Sequence, residues 1–434
     1  MSCSYADVLR TEDPRLREMF DVEAQTLHGG AILIDDPFPA MNRLRDQAPV
    51  HRGALGALIG YPEDAAAGRF RYHVPERETF TAFTFAEVSR AFIDATHFSS
   101  EVYWLFENAR SRGDSISNRM GEAHRAMRGP IQPMFSPEAA QDWWHEKSVA
   151  ETVDVLVSGI EGKGRCNIFL ELCARMPVHV ISAGFGFAPD EILPFRVALL
   201  DSVSHAASRQ QQQAAEQTTK DMLTRLIEAR RRSPRDDVVS RLVQAEVAEP
   251  DGSVRPFTND EIIANCRLIV QAGGGTTWRQ LGIVLFALLN HPDQFDLFKA
   301  DRSLFPRVIL EVARWYPTDL IFPRLVIKDT TLGGVDIPEG SLLHMCIGSA
   351  NRDPTRWENP DVFDITRPVQ RSVTFGAGAH SCLGQHVSRQ EMEVALNAIM
   401  DRLPNLRWDP AEPPARLVGG LFQRGPSALH VLYD

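Results

Sequence analysis

The sequence lacks the features of a membrane-anchored, exported or nucleic-acid-binding protein. Its 434 residues contain no apolar run near twenty residues, and the first residues show no charged-then-apolar signal pattern, so we expect no membrane anchor. Six cysteines are scattered without a regular spacing, which argues against a disulfide framework and favours a reducing, cytoplasmic location. With 46 Lys and Arg against 57 Asp and Glu, the net charge of −11 argues against nucleic-acid binding.

The sequence also lacks a linker. No stretch rich in glycine, serine or proline divides it, although its length would allow two or three domains. We therefore predict an N-terminal segment, residues 1–35, and one large domain, residues 36–434.

Helical spacing dominates that domain, and the predicted strands are short. Helices are predicted at 36–48, at 85–94 and, with breaks at 184–190 and 233–236, along 145–241. Strands are predicted at 50–52, 79–85 and 325–327. A loop or hairpin extension is predicted at 53–78, and an irregular polar stretch at 99–120.

The most informative stretch is FGAGAHSCLG, from Phe375 to Gly384. Its glycines allow a tight turn that passes close to a flat ligand. Cys382 directly precedes a helix-spaced segment, and the positive end of a helix favours the thiolate form. A lone cysteine is more often a small buried side chain, but a thiolate in a glycine-rich loop is also a natural ligand for haem iron.

A second notable stretch lies inside a long predicted helix. Thr258 and Glu261 form a capping box, and the apolar segment that follows reaches Asn290, a length of roughly 45–50 Å. Its middle reads AGGGTT, from Ala272 to Thr277. Each glycine costs a helix about 1 kcal/mol relative to alanine. Three explanations are open: close approach of a cofactor or dioxygen to bare backbone, a local opening of the helix completed by a threonine hydroxyl, or a tight helix crossing.

The cysteine loop resembles the haem-binding signature F-G-x-G-x-H-x-C-x-G of the cytochrome P450 family. Its six fixed places are filled by Phe375, Gly376, Gly378, His380, Cys382 and Gly384. The resemblance spans about residue 36 to the C-terminus and implies the cytochrome P450 fold, mainly α with small β-sheets (α+β). It also implies haem b as the cofactor, Cys382 as the metal ligand, and Phe375 and Gly376 as cofactor-binding residues.

The long helix resembles the family's A/G-G-x-D/E-T-T pattern with one departure. The resemblance implies catalytic roles for Thr276, Thr277 and position 275, where Gly275 replaces the acid that relays protons in the family. The usual proton route is therefore in doubt, whereas haem binding is not.

Further residues match the family's haem-propionate partners. His124 and Arg128 are four residues apart and share one helix face, which alone would indicate a solvated basic patch. The resemblance implies that both residues bind the two haem carboxylates, together with Arg324 and His380. Glu311, Arg314 and Arg367 match a structural charge cluster of the family.

The function implied is a haem-thiolate monooxygenase that inserts one oxygen atom from O2 into a small apolar organic substrate. Electrons would come from NAD(P)H through a separate reductase and a ferredoxin or flavodoxin-type donor, docking near Arg125, His386 and Arg389. Family position also suggests residues that line the substrate cavity: Trp104, Phe106, Val270, Leu320, Ile321, Leu421 and Phe422. The alternatives are a peroxide-using or non-redox haem-thiolate enzyme and a non-catalytic haem sensor or carrier.

Overall fold

The computed structural model describes residues 17, 19–62, 77–106, 113–202, 207–249 and 251–434. Parts of the predicted stretches 53–78 and 99–120 lie outside these residues. Residues 1–16 and 18 of the predicted N-terminal segment also lie outside them. Within the described ranges, no helix combines the length and the apolar character needed to cross a membrane.

Helices make up most of the described chain. In chain order they are α1 (Val22–His28), α2 (Phe38–Gln47), α3 (Leu55–Leu58), α4 (Phe85–Ile93), α5 (Gly121–Ile131), α6 (Ala150–Ile160), α7 (Met176–Phe185), α8 (Pro189–Asp201), α9 (Arg209–Arg232), α10 (Val238–Gln244), α11 (Asn259–Asn290), α12 (Pro292–Ala300), α13 (Phe305–Trp315), α14 (Ile347–Ala350) and α15 (Gln385–Arg402). Wide π-helical turns occupy Ala140–Val149 and Phe169–Cys173, and 3₁₀ turns include Ser100–Leu105 and Gly378–His380.

The strands are short and form small sheets. In chain order they are β1 (Val50–Arg52), β2 (Thr79–Ala82), β3 (Phe98–Ser99), β4 (Arg165–Asn167), β5 (Glu246–Ala248), β6 (Val254–Pro256), β7 (Ile321–Val326), β8 (Thr330–Leu332), β9 (Val335–Ile337), β10 (Leu342–Cys346), β11 (Arg407–Trp408), β12 (Leu417–Val418), β13 (Gly425–Pro426) and β14 (His430–Leu432). The largest sheet has the order β1-β2-β10-β7-β3, in which only β2 and β10 run parallel. The prediction of a mainly helical fold with small sheets is confirmed.

Most local predictions agree with the observed elements to within a few residues, but the helical stretch predicted along 145–241 is also interrupted by strand β4 at Arg165–Asn167, which the helical spacing did not indicate. The predicted helices at 36–48 and 85–94 correspond to α2 and α4, and the strand predicted at 325–327 begins earlier, at Ile321. The stretch 53–78 contains the short helix α3, which its low periodicity did not indicate. The division of the chain at residue 35 stays a prediction.

Helix α11 is the centre of the core. It begins with the predicted capping box: Thr258 Oγ1 accepts from Glu261 N at 3.2 Å, and Glu261 Oε2 accepts from Thr258 N at 3.0 Å. Residues 277–285, which include Trp278, Leu281 and Leu285, are all buried, as expected for a helix segment that other elements surround. The hairpin β12–β13 packs against this helix and places residues 419–424 beside its glycine-rich middle.

Candidate functional site

The cysteine loop has the tight turns that its glycines predict. Gly376 (φ +66°) and Gly378 (φ +69°) both adopt left-handed conformations. A Cβ atom on Gly378 would lie 3.1 Å from the carbonyl oxygen of Phe92, so a larger residue would press against α4. Cys382 N donates to Phe375 O at 2.8 Å and closes the loop just before α15.

The Cys382 side chain is exposed to solvent, although many protein atoms surround it. Among the five cysteines in the described ranges it is exposed, whereas Cys166, Cys173, Cys266 and Cys346 are buried. Desolvation raises its pKa, although the backbone N–H groups at 384 and 385 and the Arg128 guanidinium act in the opposite direction. Burial therefore outweighs the helix terminus in the free thiol, and a bound cation would be needed to deprotonate it fully.

Three of the predicted carboxylate-binding residues meet beside this loop. The rings of His124 and His380 lie 4.1 Å apart between centroids. Arg128 donates to the loop carbonyls of Ala379 (3.0 Å) and Ser381 (2.7 Å), on either side of His380. The Arg128 side chain thus connects α5 to the backbone of the loop. The spacing of His124 and Arg128 did not indicate this contact.

The fourth predicted residue, Arg324, reaches the site from β7. It is 4% exposed, its Nη1 donates to Pro323 O at 3.0 Å, and its guanidinium lies 5.3 Å from the centroid of the Phe92 ring. Desolvation lowers its pKa, while a hydrogen bond to the Tyr103 side chain acts in the opposite direction. Ser100 Oγ lies 3.3 Å from His380 Nε2, so the Ser100–Leu105 turn contributes two polar groups to this cluster.

The cluster has the electrostatics of an anion site. Within the described ranges, neither Arg128 nor Arg324 forms an ion pair with a carboxylate, and the buried Nε2 of His124 has no hydrogen-bond partner. Desolvation lowers the pKa of His124 to about 4 and that of His380 to about 3, and the neighbouring cationic groups add to both shifts. An anionic ligand would relieve this, so the residues fit the two carboxylates of a haem beside the Cys382 thiol.

The glycines of α11 are explained by close contacts from three elements. A Cβ atom on Gly273 would lie 2.3 Å from Ile181 Cδ1, on Gly274 3.4 Å from Arg196 Nη1, and on Gly275 3.0 Å from Gln423 Nε2. The helix continues without a break, so the tight-crossing explanation applies directly to Gly273.

The two threonines that follow lie in different surroundings. Thr276 is half-buried, and its hydroxyl donates to Ala272 O at 2.9 Å, where Ala272 is exposed. Thr277 is buried, because adjacent helix positions point about 100° apart. The structure therefore places Thr276, and not Thr277, on the open side of the helix.

The expected cavity-lining residues separate into two groups. Trp104 and Phe422 are partly exposed, and Trp104 Nε1 donates to Asn118 O at 3.1 Å. The remaining side chains are packed in the protein: Phe106, Val270, Leu320, Ile321 and Leu421. Trp104 and Phe422 are thus the better candidates for contact with a ligand.

Sequence reasoning missed several polar side chains that the fold brings to the site. They are Ser100, Tyr103, Arg196, Arg279 and Gln423. Ser100, Tyr103, Arg196 and Gln423 contact residues far away in the sequence, so no local spacing could have indicated them, whereas Arg279 lies one turn from Gly275 on α11.

The predicted charge cluster of Glu311, Arg314 and Arg367 is connected to the cysteine loop by hydrogen bonds. Arg314 donates to Glu311 through Nε (2.8 Å) and Nη2 (2.7 Å), and Arg367 Nε donates to the same carboxylate at 3.2 Å. Arg314 Nη1 also donates to Asn351 O, and Asn351 Nδ2 donates to Thr374 Oγ1 at 2.7 Å, one residue before Phe375. The predicted mutual satisfaction of these three charges is confirmed.

Comparison with known proteins identifies the family. The family model described as "Cytochrome P450" matches residues 299–416. The chain is 31% identical over 297 residues to the putative cytochrome P450 133B2 of Xylella fastidiosa, covering 65% of this chain and 71% of that protein. It is 28% identical over 405 residues to the polyketide biosynthesis cytochrome P450 PksS of Bacillus subtilis, covering 91% of this chain and 95% of that protein.

A solved structure agrees with these sequence relatives. CYP109E1 from Bacillus megaterium, in complex with corticosterone, superposes with a TM-score of 0.76 and 25% identity, covering 92% of this chain and 98% of that chain. The cysteine loop, the central helix and the mainly helical fold all agree with this result. The chain belongs to the cytochrome P450 family of haem-dependent monooxygenases.

Proposed function

We propose that Cys382 is the thiolate ligand of haem b and that the chain oxidises a small apolar organic molecule at this haem. One observation carries the proposal: the exposed Cys382 thiol, met by two backbone N–H groups at the start of α15, lies beside a cationic cluster that has no acidic partner among the described residues. Such a site suits a ligand with a soft metal ion and two carboxylates.

The carboxylates of this ligand would be shared among four residues. Arg128 uses three guanidinium N–H groups for Ala379, Ser381 and Gln132, which leaves donors for a propionate. Arg324, His124 and His380 supply the other donors. Phe375 and Gly376 would lie against the ligand on the cysteine side of the loop.

When bound, a haem-thiolate group supplies the activation of dioxygen. The chain's own residues bind and orient this group and exclude bulk water from it. The Thr276 hydroxyl, on the open side of α11, would hold a proton-carrying water, and Gly275 contributes no side chain of its own beside it. Thr277 would stabilise the same helix turn from the buried side.

A small apolar molecule is the substrate class that the surroundings favour. Trp104 and Phe422, which family position assigns to the cavity, offer partly exposed apolar surface. The relative PksS is named for polyketide biosynthesis, and CYP109E1 was solved with corticosterone, both consistent with largely apolar ligands.

The electron supply is proposed to be external, from NAD(P)H through a reductase and a ferredoxin or flavodoxin-type donor. Arg125 lies one turn before Arg128 on α5, and its side chain is 68% exposed. Arg389 on α15 adds positive charge near the cysteine loop, whereas desolvation lowers the pKa of His386, which would take part in docking as a neutral hydrogen-bonding group. The five described cysteines are all free, which supports a reducing compartment such as the cytoplasm.

The electron supply can be tested with the purified holoprotein. We expect no NADPH oxidation by the chain alone and rapid oxidation after a ferredoxin or flavodoxin and its reductase are added. The rate should fall as salt rises, because exposed charges steer docking. Arg125→Glu should lower the rate further, whereas Lys299→Glu, an equal charge change on α12, should not. NADPH oxidation by the chain alone would contradict the proposal.

A second candidate function is the use of peroxide in place of dioxygen and electrons. It is favoured by one observation: position 275 carries no carboxylate beside Thr276. Peroxide already contains both the oxygen and the reducing equivalents, so it reduces the need for timed proton delivery. Product formed from peroxide faster than with any electron donor would favour this function.

A further inference from the structure

The space left by the missing acid is occupied by a side chain from another part of the fold. The nearest atom to a Cβ built on Gly275 is Gln423 Nε2, at 3.0 Å, and Gln423 Cδ follows at 3.9 Å. A Cβ atom at position 275 would therefore require this amide to shift slightly, and a longer side chain would have to displace it. Gln423 lies in the turn between β12 and β13, and it is partly buried.

The hairpin holds Gln423 in a conformation that is unusual for its residue type. Its φ of +55° is in the left-handed region, which residues with a Cβ atom rarely adopt. Its backbone N–H donates to Asp319 Oδ1 at 2.7 Å. Such strain persists where the surroundings fix it, and it is found preferentially at functional sites.

Arg424, the residue after Gln423, also anchors the turn between β12 and β13. Arg424 is fully buried and donates to the carbonyls of Ile34, Gly419 and Gly420 at 2.8–2.9 Å. Its own N–H donates to Thr318 O at 2.8 Å. The backbone that carries the Gln423 side chain is therefore fixed beside α11.

Two guanidinium groups lie close to position 275. The guanidinium of Arg279 donates to Gly275 O, and Arg196 Nη2 donates to Gly274 O at 2.9 Å. A carboxylate at position 275 would lie one helical turn from Arg279, whose guanidinium would stabilise its ionised form. An amide is neutral and can both donate and accept hydrogen bonds.

We propose that the Gln423 amide takes the place of the acid that α11 lacks and positions the proton-carrying water next to Thr276. This inference rests on the proposed function and adds a positioning residue to it. The amide accepts one hydrogen bond and donates another without losing a proton of its own. The protons that are consumed come from solvent through the ordered water.

The contact itself is tested by a stability cycle on the holoprotein. Gly275→Ala should raise the melting temperature less than Gly159→Ala, a matched helical glycine whose added Cβ would meet no atom within 4 Å. In the Gln423→Ala background, the two alanine substitutions should raise it equally. If Gly275→Ala has the same effect in both backgrounds, the amide does not occupy this place and the inference is wrong.

The positioning role is tested by the fraction of reducing equivalents that reaches product instead of peroxide. Gln423→Ala should lower this fraction by about two- to tenfold, the value of one neutral hydrogen bond. Gln423→Asn, which suits a left-handed φ and retracts the amide by one carbon, should lower it without lowering the melting temperature. Gly275→Asp should restore it in the Gln423→Ala background and lower it in the natural chain, where the amide is still present.

The pH profile separates positioning from a purely structural effect. In the natural chain, the fraction of reducing equivalents that reaches product should not change over the pH range in which a carboxylate titrates. In the Gly275→Asp, Gln423→Ala double variant, this fraction should change over that range. Unchanged coupling in Gln423→Ala and Gln423→Asn would overturn the inference. If instead the proposed function is wrong, the reduced natural chain with carbon monoxide will lack the spectrum of thiolate ligation. The stability cycle would still report on the contact between Gln423 and Gly275.

Discussion

Replacement of Glu311 by alanine is expected to lower the free energy of unfolding by about 3–5 kcal/mol, because it leaves two arginines buried without their shared carboxylate. Glu311 is 6% exposed and Arg314 is 2% exposed, and Arg367 Nε donates to the same carboxylate. Glu311 Oε1 also accepts from Asp364 N at 3.1 Å, a bond that alanine cannot replace. The midpoint of urea unfolding of the holoprotein would measure the loss.

The chain offers a control with the same spacing. Glu122 and Arg125 on α5 also lie three residues apart, at 3.6 Å, but their side chains are 73% and 68% exposed. Glu122→Ala should change the free energy of unfolding by less than about 1 kcal/mol, the usual range for an exposed pair. Equal losses in the two variants would show that burial of the Glu311 cluster does not determine its effect.

Removal of both Arg128 and Arg324 is expected to release the haem during purification. Each is proposed to donate charge-assisted hydrogen bonds to a propionate, worth roughly 1.5–3 kcal/mol apiece. Arg128→Ala, Arg324→Ala should therefore lower haem affinity by at least about a hundredfold, since each 1.4 kcal/mol is a factor of ten. Haem content per protein, measured from the absorbance ratio after gel filtration, would report the loss.

Two comparisons isolate the carboxylate contact from general destabilisation. Arg90→Ala, Arg307→Ala removes two exposed arginines that donate to backbone carbonyls of Thr331 and Thr366, and it should retain haem. Reconstitution with haem dimethyl ester removes the carboxylate charges from the ligand. If Arg324 binds a propionate, Arg324→Ala should lose affinity for haem but not for the ester. Equal losses for both ligands would place Arg324 away from the propionates.

The elements of this fold that could be predicted are those specified by residues close together in the sequence. The capping box of Thr258 and Glu261 sets the start of α11, and Glu311 and Arg314 are three residues apart on α13. The glycines at 376 and 378 marked the tight turns that the loop contains. Local hydrogen bonds and backbone conformation dominate at these places, so spacing was enough.

The contacts that could not be predicted join residues that only the completed fold brings together. Gln423 reaches Gly275 because Arg424 and Asp319 fix the β12–β13 turn, and a glutamine with positive φ has no local sequence signal. Likewise, Tyr103 meets Arg324 through the pairing of β3 with β7, which brings the 3₁₀ turn next to that strand. The three glycines were recognised as costly, but their neighbours Ile181, Arg196 and Gln423 determine why they are needed.

The identity of the thiolate is tested most directly by the absorption spectrum of the reduced protein with carbon monoxide. The natural chain and Cys346→Ser should both show the red-shifted Soret band of thiolate ligation, because Cys346 is buried in β10. Cys382→Ser should lose this band, since a serine hydroxyl is a poor ligand for ferrous iron. Loss of the band in Cys346→Ser together with its retention in Cys382→Ser would contradict the assignment of the haem to the cysteine loop.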